Sequence, residues 1–212
     1  MKILDLFCGL KGWSAAFDNE DVCTIDIDAR FDPDVCIDIM NLNVKDLPFK
    51  PDIVLASPPC ESFSVASIGV HWNRNQTPKT EKAEKAMALV KKTVQLIEEI
   101  KPFAAIIENP RGMLRKLGLI PVEPLTIWYC HYGENRAKPT DLWGLPFPTG
   151  WQPKQPCHYQ RASHDNLCCC RDHVSAARGS QTGTQGMGSY EIKSKIPIQL
   201  STEIRTACAT RR

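Results

Sequence analysis

DIVLAS (52–57), TEKAEKAMALVKKTVQLIEEI (80–100) and AAIIEN (104–109) decide the fold. The middle stretch carries apolar residues at Ala83, Met87, Val90, Val94, Ile97 and Ile100. Steps of three and four of this kind predict an amphipathic helix lying on a core. Thr77 and Pro78 supply its start signal. The flanking runs are short, apolar and rich in β-branched residues, as strands are. Strand, helix and strand in succession form the unit of a parallel sheet covered by helices. KILDLF (2–7), VCTIDI (22–27) and LTIWYC (125–130) add further strands, so the expectation is an α/β fold of Rossmann type.

The chain has 212 residues and is 42% hydrophobic, enough for one substantial domain and a small appendage. Its net charge of +2 excludes a polycation. From Trp151 to Arg212, nine Lys/Arg stand against four Asp/Glu, so a basic end joins a mildly acidic body. No run approaches the roughly 20 apolar residues that span a bilayer. MKILDLFCGLKGW is too short and too interrupted to read as a secretory leader, so a cytosolic protein with reduced thiols is expected. Each of the ten cysteines then has to be core, catalyst or ligand.

Ligands of an open parallel sheet bind beyond the carboxyl ends of its strands. The first strand runs into DLFCGLKGWSAAF, where Gly9 and Gly12 allow a tight turn and close approach of a ligand before a following helix. The loop lacks the full G-x-G-x-x-G fingerprint, which argues against a nicotinamide enzyme. The second strand ends in TIDID, where Asp26, with Asp28 as the alternative, is placed to accept hydrogen bonds from two ribose hydroxyls. Asp38 in CIDIMNL is a candidate for an adenine amino group, a solvated surface carboxylate being the alternative. A nucleoside site without a phosphate clamp fits S-adenosylmethionine. The third strand delivers SPPCESFS, the fourth ENPRG, and YGENRAKPTDLWG follows.

In order and spacing, this set resembles the motif series of the cytosine-5 DNA methyltransferases, from residue 2 to about 144. The resemblance implies a Rossmann-like S-adenosylmethionine-dependent methyltransferase sheet over 1–144. It further implies a small irregular recognition segment over 145–190 and a C-terminal helix within 191–212 that returns to the catalytic domain. It implies that Cys60 is the nucleophile adding to carbon 6 of cytosine, where only a thiolate is reactive enough. Pro58 and Pro59 stiffen the backbone that aims it. Glu108 matches the glutamate that meets N3 of the base, and Asn109 holds the loop. Arg136 and Lys138 match the paired arginines of the family, lysine in the second place losing the bidentate fork. The cofactor set expected is Phe7, Gly9, Gly12, Asp26, Ile27, Asp38, Ile39 and Pro58. The substrate set is Pro59, Ser64, Asn109 and Arg178. The base would be flipped out of double-stranded DNA, because carbon 6 is inaccessible inside a stacked duplex.

Past Trp143 the pattern thins to Pro, Gly, Ser, Gln and Cys. Cys157, Cys168, Cys170 and His173 are candidate zinc ligands, unliganded reduced thiols being the alternative because the spacing matches no standard finger. ARGSQTGTQG, with Arg178, reads as a DNA-contacting loop. SKIPIQLSTEIRTACA reads as helical from about Leu200, capped near Ser201. The expected protein is a monomeric cytoplasmic enzyme of a bacterium or phage-infected host, with no membrane partner. Three rival readings stand beside it: a transfer-RNA cytosine-5 methyltransferase, an amino-methyltransferase and a catalytically dead binding module. Cys60 argues against the second, whose Ser-Pro-Pro tetrapeptide ends in an aromatic ring.

Overall fold

A computed structural model describes residues 1–134, 138–154 and 194–210. Its sheet comprises β1 (Lys2–Leu6), β2 (Asp21–Asp26), β3 (Val35–Cys36), β4 (Ile53–Ala56), β5 (Ala104–Pro110), β6 (Leu125–Trp128) and β7 (Pro139–Gly144). The spatial order is β3-β2-β1-β4-β5-β7-β6. The pairs from β3 to β5 are parallel, whereas β7 runs antiparallel to both β5 and β6. The expected Rossmann-like sheet is present, with one strand reversed. Strand order turns back between β1 and β4, and this is where such sheets open a binding crevice.

Side chains alternate across the strands, and both faces are buried. Leu4, Leu6, Val54, Ala56, Ala105 and Ile107 belong to one core; Ile3, Ile53, Leu55, Ala104 and Ile106 belong to the other. Continuous apolar runs such as IVLA and AAII are what a doubly covered sheet requires. The first face is covered by α2 (Glu81–Ile100), through Ala83, Ala86, Val90, Val94, Leu96, Ile97 and Ile100. This helix begins later than its sequence signal suggests. Thr80 is the cap, its hydroxyl accepting from the Ala83 N–H, with Glu81 and Glu84 in the first turn favouring the positive helix end. Pro78 is occupied elsewhere, bridged to Trp72 beyond the short helix α1 (Ile68–His71).

The second face departs further from expectation. No α-helix follows the glycine loop; the crossover to β2 holds only a single 3-10 turn, Ser14–Ala16. The uncovered sheet is closed by α3 (Ile198–Ala209), whose Leu200, Ile204 and Cys208 pack in one core with Trp13, Ala16 and Phe17. The helix starts at Ile198 after Pro197, and Ser201, expected near the cap, lies inside its first turn and donates to the Ile198 carbonyl. Leu200 and Ile204 are fully buried, each contributing about 1.5–3 kcal/mol by the usual transfer scale.

Gly12 makes this closure fit. A Cβ at that position would stand 2.6 Å from the Ile196 backbone nitrogen, and backbone cannot swing aside. Gly12→Ala is therefore expected to lower stability by about 1–3 kcal/mol by overpacking the α3 approach. Thermal unfolding read by circular dichroism checks this, and an unchanged midpoint would refute it.

Candidate active site

The carboxyl ends of β1, β2 and β3 enclose a cleft of about 370 Å³. Its walls are mainly apolar, with Phe7, Ile25, Ile37, Ile39 and Leu89 among them, and its charged members are Asp26, Asp38 and Lys85. The loop after β1 turns sharply, with Phe7, Gly9 and Lys11 all at positive φ. That turn points the Gly9 N–H at Asp26 Oδ2 (3.0 Å), while the Asp28 N–H reaches Asp26 Oδ1 (2.9 Å). The Asp26 carboxylate is thus held by backbone on both oxygens, with lone pairs left for a ligand. Asp28, the alternative, is taken up by a bidentate pair with Arg30 and by capping the turn after β2. Asp38 caps the next turn through the Met40 N–H, and Ile27 leaves 68% of its surface open at the cleft.

Of the expected cofactor residues, Phe7, Asp26, Ile27, Asp38 and Ile39 line the cleft, and Gly9 shapes it. Gly12 faces Ile196 instead, and it is Pro59 rather than the buried Pro58 that joins the lining. An apolar slot with two carboxylates suits a base, a diol and a cation, and repels a polyphosphate.

Cys60 leaves the end of β4 in a loop pinned on both sides. Before it, the Pro58 carbonyl accepts from Asn109 Nδ2 at 2.9 Å. After it, the Cys60 carbonyl accepts from the Phe63 and Ser64 N–H groups, each at 3.0 Å. Trp72 donates from Nε1 to the Ser62 carbonyl (2.7 Å) and stacks on Phe63, its ring centroid 5.9 Å away. The Met113 N–H reaches the Phe63 carbonyl at 2.7 Å. Gly112 permits that approach, since a Cβ there would lie 2.1 Å from the Phe63 oxygen. Ser64 Oγ is 3.0 Å from Ser67 Oγ, and Val65 and Val70 stand exposed on the same loop. Cys60 itself is partly exposed, whereas burial pushes the thiols of Cys8 and Cys208 to about 12 and that of Cys23 to about 11. Those three behave as core residues.

Glu108 stands near the end of β5, only 4% exposed. Burial raises its pKa; the Lys138 charge and hydrogen bonds from Tyr129 and Ser57 oppose the rise, and Asp141 adds to it. The Tyr129 hydroxyl donates to Oε1 at 2.8 Å. Ser57 Oγ in turn accepts from Trp13 Nε1 at 3.0 Å. Lys138, also buried, sits with its ammonium 4.4 Å from the Tyr129 ring centroid. Thr140, on the neighbouring strand, lies close enough to Tyr129 to favour its charged form, and gives its own hydroxyl proton to the Lys138 carbonyl at 3.2 Å. Asp141, opposite Asn109 in register, accepts from Thr126 and pairs with Arg115 at 3.2 Å. Tyr129 stands outside the sequence motifs, and Trp13, Ser57 and Thr140 lie within them with no role attached; the fold brings Tyr129 to Glu108 and Trp13 to Ser57. Arg136, Arg178, Cys157, Cys168, Cys170 and His173 lie outside the described residues. Among the described residues, no group of three or more His, Cys, Asp or Glu could hold a metal.

A largely apolar cleft at the strand ends, with a thiol and a buried carboxyl on adjacent strand ends, sits on a sheet of Rossmann-like architecture. Residues 1–118 match the profile of the C-5 cytosine-specific DNA methylases. The chain is also 30% identical over 159 residues to a probable DNA (cytosine-5)-methyltransferase of Frog virus 3 (isolate Goorha), spanning 68% of this chain and 70% of that one. This chain belongs to the C-5 cytosine-specific DNA methylase family. Among solved structures it is similar to a putative DNA modification methyltransferase encoded within an Escherichia coli prophage, at 19% identity and a TM-score of 0.49. That match covers 68% of this chain and 46% of the other. It is also similar to the Dnmt2 methyltransferase of S. pombe, at 17% identity and a TM-score of 0.43, with 68% and 48% covered. The methyltransferase EhMeth of Entamoeba histolytica matches at 13% identity and 0.48, with 74% and 57% covered. The chain spans about half the length of these solved structures.

Asp5, beneath the glycine loop, gives a measurable pH signature. It is buried, its Oδ2 accepts from the Ser14 N–H at 3.2 Å, and its Oδ1 has no hydrogen-bond partner among the described residues. Burial raises its pKa to about 7, the Ser14 bonds and the Lys11 charge countering and Asp26 adding. A carboxyl whose folded pKa lies above its unfolded value binds more protons when folded, so its contribution to stability is lost as pH rises. Without added ligand, stability should fall as pH rises from about 4 to about 7, by on the order of a few kcal/mol. Asp5→Asn should flatten that slope in urea titrations run at several pH values.

Proposed function

We propose that this protein methylates carbon 5 of cytosine in duplex DNA, with the base flipped out of the stack and held covalently through Cys60 during transfer. The observation that carries the reading is the buried Asn109–Pro58 hydrogen bond, which joins the loop of Cys60 to the strand end of Glu108 beside a nucleoside cleft. Asp26 would hold the ribose of S-adenosylmethionine and Asp38 its adenine, with Phe7, Ile27 and Ile39 against the ring. When bound, that cofactor supplies an electrophilic methyl group.

The thiolate of Cys60 forms a bond to carbon 6, and the electrons of the 5,6 double bond are released toward carbon 5 and the N3–O2 side of the ring. Glu108 holds a proton at N3, where that negative charge would otherwise build up. Its raised pKa suits the task, since burial keeps the carboxyl protonated at higher pH than an exposed glutamate. Lys138 adds positive charge beside it, in keeping with its assignment to the O2 side of the base, and Arg136 is assigned to the same motif. Carbon 5 would then take the methyl group as its bond to the sulfonium sulfur breaks, leaving S-adenosylhomocysteine; loss of the carbon 5 proton to water, departure of the thiolate and return of the N3 proton to Glu108 restore the aromatic ring. Pro59 and Ser64 are assigned to the substrate side of the loop. Choice of target sequence is assigned to 145–190, including Arg178, with zinc at Cys157, Cys168, Cys170 and His173 as the accompanying proposal.

Duplex DNA carrying 5-fluorocytosine tests the reading, because fluorine cannot leave as the carbon 5 proton does and the adduct is trapped. With S-adenosylmethionine present, a denaturation-resistant protein–DNA band is expected, absent in Cys60→Ser and formed roughly 100-fold or more slowly in Glu108→Gln. A band that persists in Cys60→Ser would refute the mechanism, and a band with fluorinated RNA but not DNA would move the substrate to RNA. Asp26→Ala should separately weaken S-adenosylmethionine binding in calorimetry without abolishing folding.

A further inference from the structure

Glu108 is met by a hydroxyl donor that no family motif supplies. The Tyr129 hydroxyl lies 2.8 Å from Oε1, and Ser57 stands close enough to favour the charged carboxylate. Ser57 is free to donate, because its oxygen already accepts from the indole of Trp13, which can only donate. Tyr129 is buried and clamped from its other sides. Lys138 stands over its ring, and Thr140 lies beside it on the neighbouring strand. The groups that face Glu108 are therefore Tyr129 from the turn after β6, Lys138 and Asp141 on or beside β7, and Ser57 at the end of β4. Cys60 lies close enough to act electrostatically on Tyr129.

A protonated carboxyl has one O–H to give, and an oxygen already accepting from a fixed phenol is the poorer place to keep it. We propose that Tyr129 is a positioning residue that, by occupying Oε1 of Glu108, reserves Oε2 for the proton presented to the cytosine ring. The inference rests on the proposed function and adds to it the device that orients the acid. Tyrosine suits the role because its burial raises its own pKa well above the usual phenol value, so it stays a donor across the working pH range. The same bond favours the charged carboxylate, so Tyr129 also sets where Glu108 titrates.

The full chain, S-adenosylmethionine and a short cytosine-containing duplex provide the test. Tyr129→Phe removes only the hydroxyl. It should leave cofactor affinity unchanged, lower kcat roughly tenfold and move the alkaline limb of the kcat profile upward by about one pH unit. Added to Glu108→Gln, it should cost nothing more, since both changes disable one unit. The protonated-carboxyl infrared band missing from Glu108→Gln should titrate at correspondingly higher pH in Tyr129→Phe, without turnover. Should that variant fail to fold, 3-fluorotyrosine at position 129, a stronger donor of nearly the same shape, should move the limb downward. A loss of kcat with neither limb nor band displaced would overturn the inference, as would full additivity with Glu108→Gln. Wild-type activity in both Cys60→Ser and Glu108→Gln would show that the proposed function itself had failed, and the inference with it.

Discussion

One amide side chain sets the spacing on which the site depends. Asn109 has no exposed surface, and its Nδ2 spans the gap between two strand ends to reach a carbonyl 51 residues earlier in the chain. Cys60 lies two residues beyond that carbonyl and Glu108 one residue before that asparagine, so their separation is fixed by a single buried bond. In a dry interior such a bond is costly to break, because both donor and carbonyl would be left unsatisfied. Thiol and carboxyl are thereby held in register.

The reversed strand completes the arrangement. Had β7 run parallel to β5, its first residues would lie at the opposite edge of the sheet. Running antiparallel, it pairs Asp141 with Asn109 and Thr140 with Pro110. Lys138, just before the strand, is thereby brought to the same end as Glu108. Burial of Glu108, Lys138, Tyr129 and Thr140 in one place would be unfavourable if any stood alone, and each offsets the desolvation of its neighbours.

The elements with strong periodicity were legible from residues alone: β1, β2, β4, β5, β6 and helix α2 follow from apolar runs and three-four spacing. PTDLWG was not legible as a strand, because proline, aspartate and glycine all speak against one and only pairing on both sides sustains it. The two residues of β3 are too few to show a period. Gly12 was read as a ligand turn from its neighbours in sequence, while its true neighbour, Ile196, is brought there by the fold. Cys60, Glu108 and Asn109 could be picked out because they sit in short motifs. Tyr129 sits in none, and Trp13 and Ser57 gave no sign of a role within theirs, since their significance lies in bonds across 44 and 21 residues.

The closure of the second face by α3 has a consequence for how the molecule comes to be. The segment that props the Gly9–Gly12 loop from beneath, Ile196 to Cys208, emerges more than 180 residues after it. Contacts of such range are slow to form, because the intervening chain must be gathered before they give any return. On the ribosome, the parallel half of the sheet can assemble while Trp13 and Phe17 remain uncovered. A nascent chain is therefore a sheet with one sticky side until helix α3 arrives.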